Sequence, residues 1–382
     1  MSNLWPVFGL IGLVVLILIL STRPMLQPVF RWLPIPLWCY TLPMIATSLG
    51  ILPRPHPIYA TMTSIVLPFA LGLLLLGIDL PGIVRVGRGA LIATALGSVG
   101  IIVGAPCVGW IFRDWLPADA WKGLGTLAAT WTGGSMNLLA MRTIIDTPPD
   151  TFTSLIIVDA LITYSWMALL VAAVGAQAPL NRWLHAKPLR LRSVQSLSET
   201  APLKFQKVIM VLCWSLILVL SAGRLSTHLP TTAVVNSAKG WVVLLVTTIS
   251  LAMSCIPWVR TMNATGSRLG TPCLYVVLAA MGAQASLEGL RTAPGWLFVG
   301  IGIALVHGVV MLIGGRLLRL PFSILATASQ ANLGGVVSTP IVGAMYAQEL
   351  AAVGLVLAVG LNAVGTYLGL CSAYLARLLL SH

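Results

Sequence analysis

Charge is what this chain has least of. Asp, Glu, Lys and Arg make up 8% of its 382 residues, against about 25% in a soluble domain, while 58% are hydrophobic and the mean hydropathy is +0.97. A soluble domain is excluded, and the bilayer becomes the solvent. Period-2 alternation is also lacking. Leu, Ala, Val, Gly and Met fill the apolar runs, which excludes a transmembrane β-barrel. No G-x-S-x-G elbow, H-E-x-x-H helix or G-x-x-x-x-G-K-[ST] loop occurs, so neither an enzyme nor a nucleotide-driven pump is expected in this chain. The six cysteines, at 39, 107, 213, 255, 273 and 371, show no C-x-x-C or Cys/His spacing. They are expected to be small core residues, with no cofactor and no metal beyond Na⁺.

What is present is a succession of apolar runs, each near the ~20 residues a spanning helix needs. They fall near 5 to 21, 33 to 52, 57 to 78, 89 to 112, 119 to 144, 152 to 176, 206 to 223, 238 to 257, 272 to 290, 294 to 317, 321 to 348 and 352 to 380. The expected fold is all-α and polytopic, with about 10 to 12 transmembrane helices. The first run has no basic stretch before it and Ser21-Thr22-Arg23-Pro24 directly after it, so it is expected to be a retained helix. Trp32, Trp110, Trp115, Trp121, Trp183, Trp241, Trp258 and Trp296 fall near run ends, where amphipathic rings settle. Trp131 and Trp166 do not fit that belt.

The formal charge of +13 reports topology and not a nucleic-acid partner. Arg182, Lys187, Arg190, Arg192, Lys204 and Lys207 gather in one polar stretch, which the positive-inside bias places in the cytoplasm. With an even number of helices both termini lie there too, in a bacterial-type inner membrane. The same charges suit lipid headgroups. The chain therefore divides into a membrane half over 1–176, a basic cytoplasmic linker over 177–205 and a second membrane half over 206–382.

Each half contains a glycine pair inside an apolar run, Gly133-Gly134 and Gly334-Gly335, 201 positions apart. Leu80 and Gly82 likewise pair with Leu287 and Gly289 at an offset of 207. Such weak internal symmetry is characteristic of duplicated transporters. Counting six crossings between the pairs makes the halves parallel, whereas an odd number would invert them. A glycine pair lets a helix unwind. The second half-helix then presents unpaired amides and a positive dipole end, suited to an anionic group, and the first presents carbonyls suited to a cation. Thr132, Ser135 and Asn137 surround the first break, and Gln330, Asn332, Ser338 and Thr339 the second. Small-residue helix packing is the competing explanation.

Of nine acids, only Asp159 lies well inside an apolar run. A carboxyl there costs on the order of 2.5–3.5 kcal/mol on insertion scales, which suggests a proton or Na⁺ site. Thr163 and Trp166 follow at i+4 and i+7 on the same helical face. A single deep acid also excludes an intramembrane aspartyl protease, which needs two carboxyls sharing a proton. His307, mid-run, is a candidate proton relay or a satisfied packing residue. Arg142 suits a carboxylate or phosphate, or simply snorkels to the interface or balances Asp146.

The pattern Thr132-Gly133-Gly134-Ser135-x-Asn137, the Asp159 helix, Ala328-Ser329-x-Ala331-Asn332-x-Gly334-Gly335 and Gly365-Thr366-Tyr367-Leu368-Gly369 resembles the YjcL-like family of uncharacterised integral membrane proteins, domain of unknown function 819. The resemblance runs from the second apolar run to the C-terminus. It implies a place in the cation:proton antiporter and anion-transporter grouping, with two inverted repeats whose unwound helices cross. That conflicts with the parallel count and takes precedence over it. The expected function is a secondary-active transporter of a small organic anion or amino acid-like solute, coupled to H⁺ or Na⁺. Its partners would be the solute, the ion and the lipid bilayer, with a homodimer allowed. A channel, or a scaffold that keeps a transporter fold, is the alternative. A major-facilitator carrier is disfavoured because the Gly, Asp and basic loop after its second helix is missing.

Overall fold

The computed structural model describes residues 5–53, 56–84, 86–187, 204–232, 234–235, 237–285 and 293–381. These residues are helical almost throughout, and none of them forms a strand. In chain order the helices are α1 (Trp5–Ser21), α2 (Gln27–Trp32), α3 (Ile35–Ser48), α4 (Pro57–Leu75), α5 (Leu80–Val84), α6 (Arg88–Ile111), α7 (Ala120–Trp131), α8 (Ser135–Ile144) and α9 (Pro149–Ala172). There follow α10 (Gln177–Leu184), α11 (Phe205–Ser226), α12 (Ala238–Met253), α13 (Pro257–Arg260), α14 (Asn263–Gln284), α15 (Ala293–Leu318), α16 (Phe322–Tyr346) and α17 (Glu349–Leu380). Helix is the expected answer to apolar solvent, because it satisfies every backbone amide within the segment. Local signals set the starts. His56 Nδ1 accepts from the Ile58 amide at 3.3 Å ahead of Pro57, and Ser237 Oγ accepts from the Gly240 amide at 3.1 Å.

Helix occupies the greater part of each of the twelve apolar runs, yet among the described residues only six helical stretches are single, long and apolar enough to cross a membrane. They are Pro57–Leu75, Arg88–Ile111, Pro149–Leu184, Phe205–Ser226, Ala293–Leu318 and Glu349–Leu380. Elsewhere the runs are shortened, bent or interrupted, or, in α14, carried by a long but less apolar helix. The first turns through 90° after Ser21, and the fifth divides into α7 and α8. The chain is a multi-pass membrane protein.

It folds as two compact units, each assembled from separated stretches of sequence. One comprises Met1–Ile78, Arg142–Ala160 and Ala201–Ala293. Within it α14 lies on α3 and α4 at glycines: a side chain at Gly282 would strike the Tyr40 carbonyl, and one at Gly266 the Leu73 carbonyl. The other comprises Asp79–Met141, Leu161–Thr200 and Pro294–His382. Here α7 meets α17 along Gly125 and Ala129 against Gly369 and Ala373, with no room for larger side chains. Gly97, Gly100 and Gly104 of α6 similarly seat α15 at His307, Val310 and Val306. Without a hydrophobic drive between helices in lipid, such close small-residue approach lets dispersion and polar contacts hold them. This second unit contains both glycine pairs.

The expected small-core role of the cysteines is corrected. Cys39 is buried and Cys273 half-buried, but Cys107, Cys213, Cys255 and Cys371 are exposed. The reason is the solvent: a thiol facing acyl chains meets surroundings as apolar as a core. Of the belt tryptophans, Trp110, Trp115, Trp183 and Trp258 are exposed as such rings should be, whereas Trp296 is wholly buried against Gly123. Arg190, Arg192, Leu287 and Gly289 lie outside the described residues.

Candidate functional site

The first break is short. α7 stops at Trp131, α8 starts at Ser135, and Gly134 between them takes φ of 76°. Thr130 O accepts the Gly134 amide at 2.6 Å and Gly134 O accepts the Asn137 amide at 2.9 Å. The Thr132 hydroxyl turns back to Ala128 O at 2.7 Å. Gly133 is needed because α17 presses on it: a Cβ there would lie 2.6 Å from Gly365 Cα.

The second break is a single dislocation within α16. Gly335 has φ 68° and ψ −160°, a backbone region that is essentially glycine's alone. Gln330 Nε2 donates to Ser338 Oγ at 2.8 Å, bridging the dislocation, and a side chain on Gly334 would collide with both ends of that bridge. Thr339 Oγ1 donates to Gly335 O at 2.5 Å. The Thr163 hydroxyl, from α9, donates to Leu333 O at 2.8 Å. The two breaks meet: a methyl placed on Gly335 would touch Gly134 Cα at 3.8 Å. Backbone therefore approaches backbone at the two positive-φ glycines.

Beside each break stands an asparagine with every polar atom engaged. Asn137 Nδ2 donates to Gly133 O at 2.5 Å and to Asn362 O at 3.1 Å, while its Oδ1 accepts from the Thr366 hydroxyl at 2.5 Å. Asn332 Nδ2 donates to Ala328 O at 3.0 Å and to Thr94 O at 3.2 Å, and its Oδ1 accepts from the Ser98 hydroxyl at 2.8 Å. Each amide therefore ties the backbone four residues before it, the break itself for Asn137 and α16 for Asn332, to a neighbouring helix. On that neighbour the carbonyl and the hydroxyl are also four residues apart. α17 serves the first break and α6 the second. Thr94, Ser98, Asn362 and Thr366 escape a search for isolated motifs. Their signal is the i,i+4 spacing of two polar groups on an apolar helix.

His307 is buried and tied on both sides. Its Nδ1 lies 2.9 Å from Gly97 O, and its Nε2 2.8 Å from Ser329 Oγ, which also accepts from Trp166 Nε1 at 2.8 Å. A carbonyl only accepts and an indole only donates, so Nδ1 carries the proton and the Ser329 hydroxyl donates to Nε2. The uncharged ring satisfies the whole network. This also explains Trp166, whose ring makes a T-shaped contact with the imidazole, centroids 5.9 Å apart. Asp159, by contrast, belongs to the other compact unit and is half-buried there.

In the other unit, the Arg142 guanidinium lies over the Phe152 ring at 4.6 Å, with Nη1 sealed from solvent and without a hydrogen bond. It does not snorkel. The Tyr40 ring meets Phe152 edge-on at 5.8 Å. Its hydroxyl donates to Thr153 Oγ1 at 2.8 Å, because Thr153 spends its own proton on Pro149 O.

The structure brings Thr132, Gly133, Gly134, Asn137, Gln330, Asn332, Gly334, Gly335, Ser338 and Thr339 to the two breaks, mostly as partners of one another. Two groups are left for another molecule. Ser135 is exposed at the start of α8, whose first-turn amides and positive dipole end favour negative charge. Gln330 Oε1 is sealed and unpartnered, on a side chain with no exposed surface. A nearly apolar cleft of ≈ 400 Å³ lies between α6 and α17, and Thr94 and Ser98 reach it.

Over 310 residues the chain is 24% identical to the uncharacterized membrane protein YjcL of Bacillus subtilis (strain 168), which covers 76% of this chain and 76% of the relative. The family model described as "Protein of unknown function (DUF819)" matches residues 9–379, nearly the whole length, and the chain belongs to that family.

Proposed function

We propose that this protein is a secondary-active transporter that carries a small organic anion or amino acid-like solute, coupled to H⁺ or Na⁺. The observation that supports this reading best is the meeting of two glycine breaks inside an apolar helical unit. Non-helical backbone at membrane depth is tolerated where it lines a path or a site and is costly elsewhere. The half-helix starting at Ser135 would receive the negative group of the solute, and Asp159 would couple the ion. His307 enters as an uncharged tie between α15, α6 and α16, because its ring is already satisfied on both nitrogens. The exchanged clamps, α17 holding the first break and α6 the second, support two structurally related repeats. Opening and closing around the meeting point would expose it to either side of the membrane in turn.

The test is uptake into proteoliposomes under imposed Na⁺ and H⁺ gradients with a panel of organic anions and amino acids. Saturable, gradient-dependent flux with counterflow is expected. Unsaturable current would identify a channel, and the absence of flux for every solute would favour a scaffold.

A further inference from the structure

We infer that Gln330 Oε1 is a ligand for a dehydrated alkali cation such as Na⁺, and that Asn137 and Asn332 are positioning residues that never touch the passenger. The inference rests on the transporter reading and decides between its two coupling ions.

A primary amide has two N–H donors and one carbonyl acceptor. Asn137 and Asn332 spend all three on α17 and α6, as described above. Gln330 does not. Its Nε2 bridges to Ser338, and its Oε1 has no hydrogen-bond partner although the residue has no exposed surface. Buried acceptors are normally satisfied, so an orphan marks a bound ion, a bound water or a strained group.

Three features select a small cation. The oxygen is sealed, which leaves out a bulky solute. It is an acceptor, which repels an anion. It belongs to a carboxamide, which does not take up a proton as a carboxylate does. Hard oxygen ligands suit an alkali ion. The adjoining backbone is also suited to help, because the φ/ψ of Gly335 interrupts the helical ladder in which carbonyls would otherwise all be paired. Of those carbonyls, Leu333 O already takes a supplementary bond from Thr163.

The experiment uses the full-length protein in detergent, melted across a Na⁺ titration balanced with choline so that ionic strength stays fixed. Ligand binding to the folded state raises the melting temperature by mass action. Wild type should be stabilised by Na⁺. In Gln330→Met the half-maximal Na⁺ concentration should rise roughly tenfold or more, as loss of one good ligand implies. Asn137→Ala and Asn332→Ala should melt lower without Na⁺ but keep that midpoint within about twofold. The inference falls if Na⁺ does no more than choline for wild type, if Gln330→Met keeps the wild-type midpoint, or if the asparagine variants lose Na⁺ as Gln330→Met does. Should Gln330→Met fail to fold, Gln330→Glu decides: a lower midpoint from the added charge is expected, and an unchanged one overturns the assignment. Binding is read without transport, so a Gln330-dependent Na⁺ response with no flux would sink the transporter reading alone. Saturable flux with a Gln330-independent Na⁺ response would sink this inference alone.

Discussion

The two glycine breaks reach one construction from opposite ends. At the first, three residues separate two helices and the clamping asparagine follows the break by three positions from Gly134; at the second, one residue dislocates a helix and the asparagine precedes Gly335 by three. The amide geometry is nonetheless the same, one bond to the carbonyl four residues back and a carbonyl–hydroxyl pair from a neighbour. The lesson is that interhelical amide bonding, and not the sequence order around the glycines, is what fixes an interrupted helix in an apolar interior. They differ in what remains. The first break ends in an exposed serine at a positive helix end, the second in a sealed carboxamide oxygen. One is suited to an anionic group and the other to a cation.

The largest effects should come from the close approaches. Gly133→Ala and Gly365→Ala each force a Cβ to within 2.6 Å of the opposing Cα, and should cost about 1–3 kcal/mol or more, read as a lowered melting temperature or lost monodispersity on size exclusion. Gly335→Ala meets only an ordinary contact at Gly134 Cα but has the wrong backbone, and should cost about 1–3 kcal/mol through φ/ψ strain alone; equal melting of Gly335→Ala and wild type would show that the second break is not held as described. Next come the clamps. Double-mutant cycles pairing Asn137→Ala with Thr366→Val, and Asn332→Ala with Ser98→Ala, should give matching coupling energies of about 0.6–1.7 kcal/mol, the range for interhelical bonds in membranes. A cycle crossing the clamps, Asn137→Ala with Thr94→Val or Ser98→Ala, should be additive, since those pairs share no bond. The smallest effect is expected for Thr163→Val, about 0.6 kcal/mol, because it removes a supplementary bond to Leu333 O and leaves the Gly335 dislocation in place.

Much of the site could be read from residue types, and its omissions have a common cause. Gly133-Gly134 and Gly334-Gly335 stand out in any apolar run, and Asn137, Asn332 and Gln330 stand out beside them. Thr94, Ser98, Asn362 and Thr366 do not, because hydroxyls and isolated amides in membrane helices ordinarily bond back to their own helix, as Thr132 does to Ala128. Trp166 looked misplaced only because its partners, Ser329 and His307, come from distant positions. The cysteines were misjudged for a different reason: an apolar residue in a bilayer can face inward or outward at similar cost, so composition does not assign its side.

Local composition alone determined that this chain is helical, multi-pass and interrupted at glycines, since hydrocarbon solvent admits few other solutions and only glycine accepts the backbone of Gly335. Which amides are exhausted and which is left over was decided by tertiary structure. Hydrogen-bond valence is spent between helices brought together from residues far apart, α6 with α16 and α7 and α8 with α17, and nothing in a linear order of residues records that pairing.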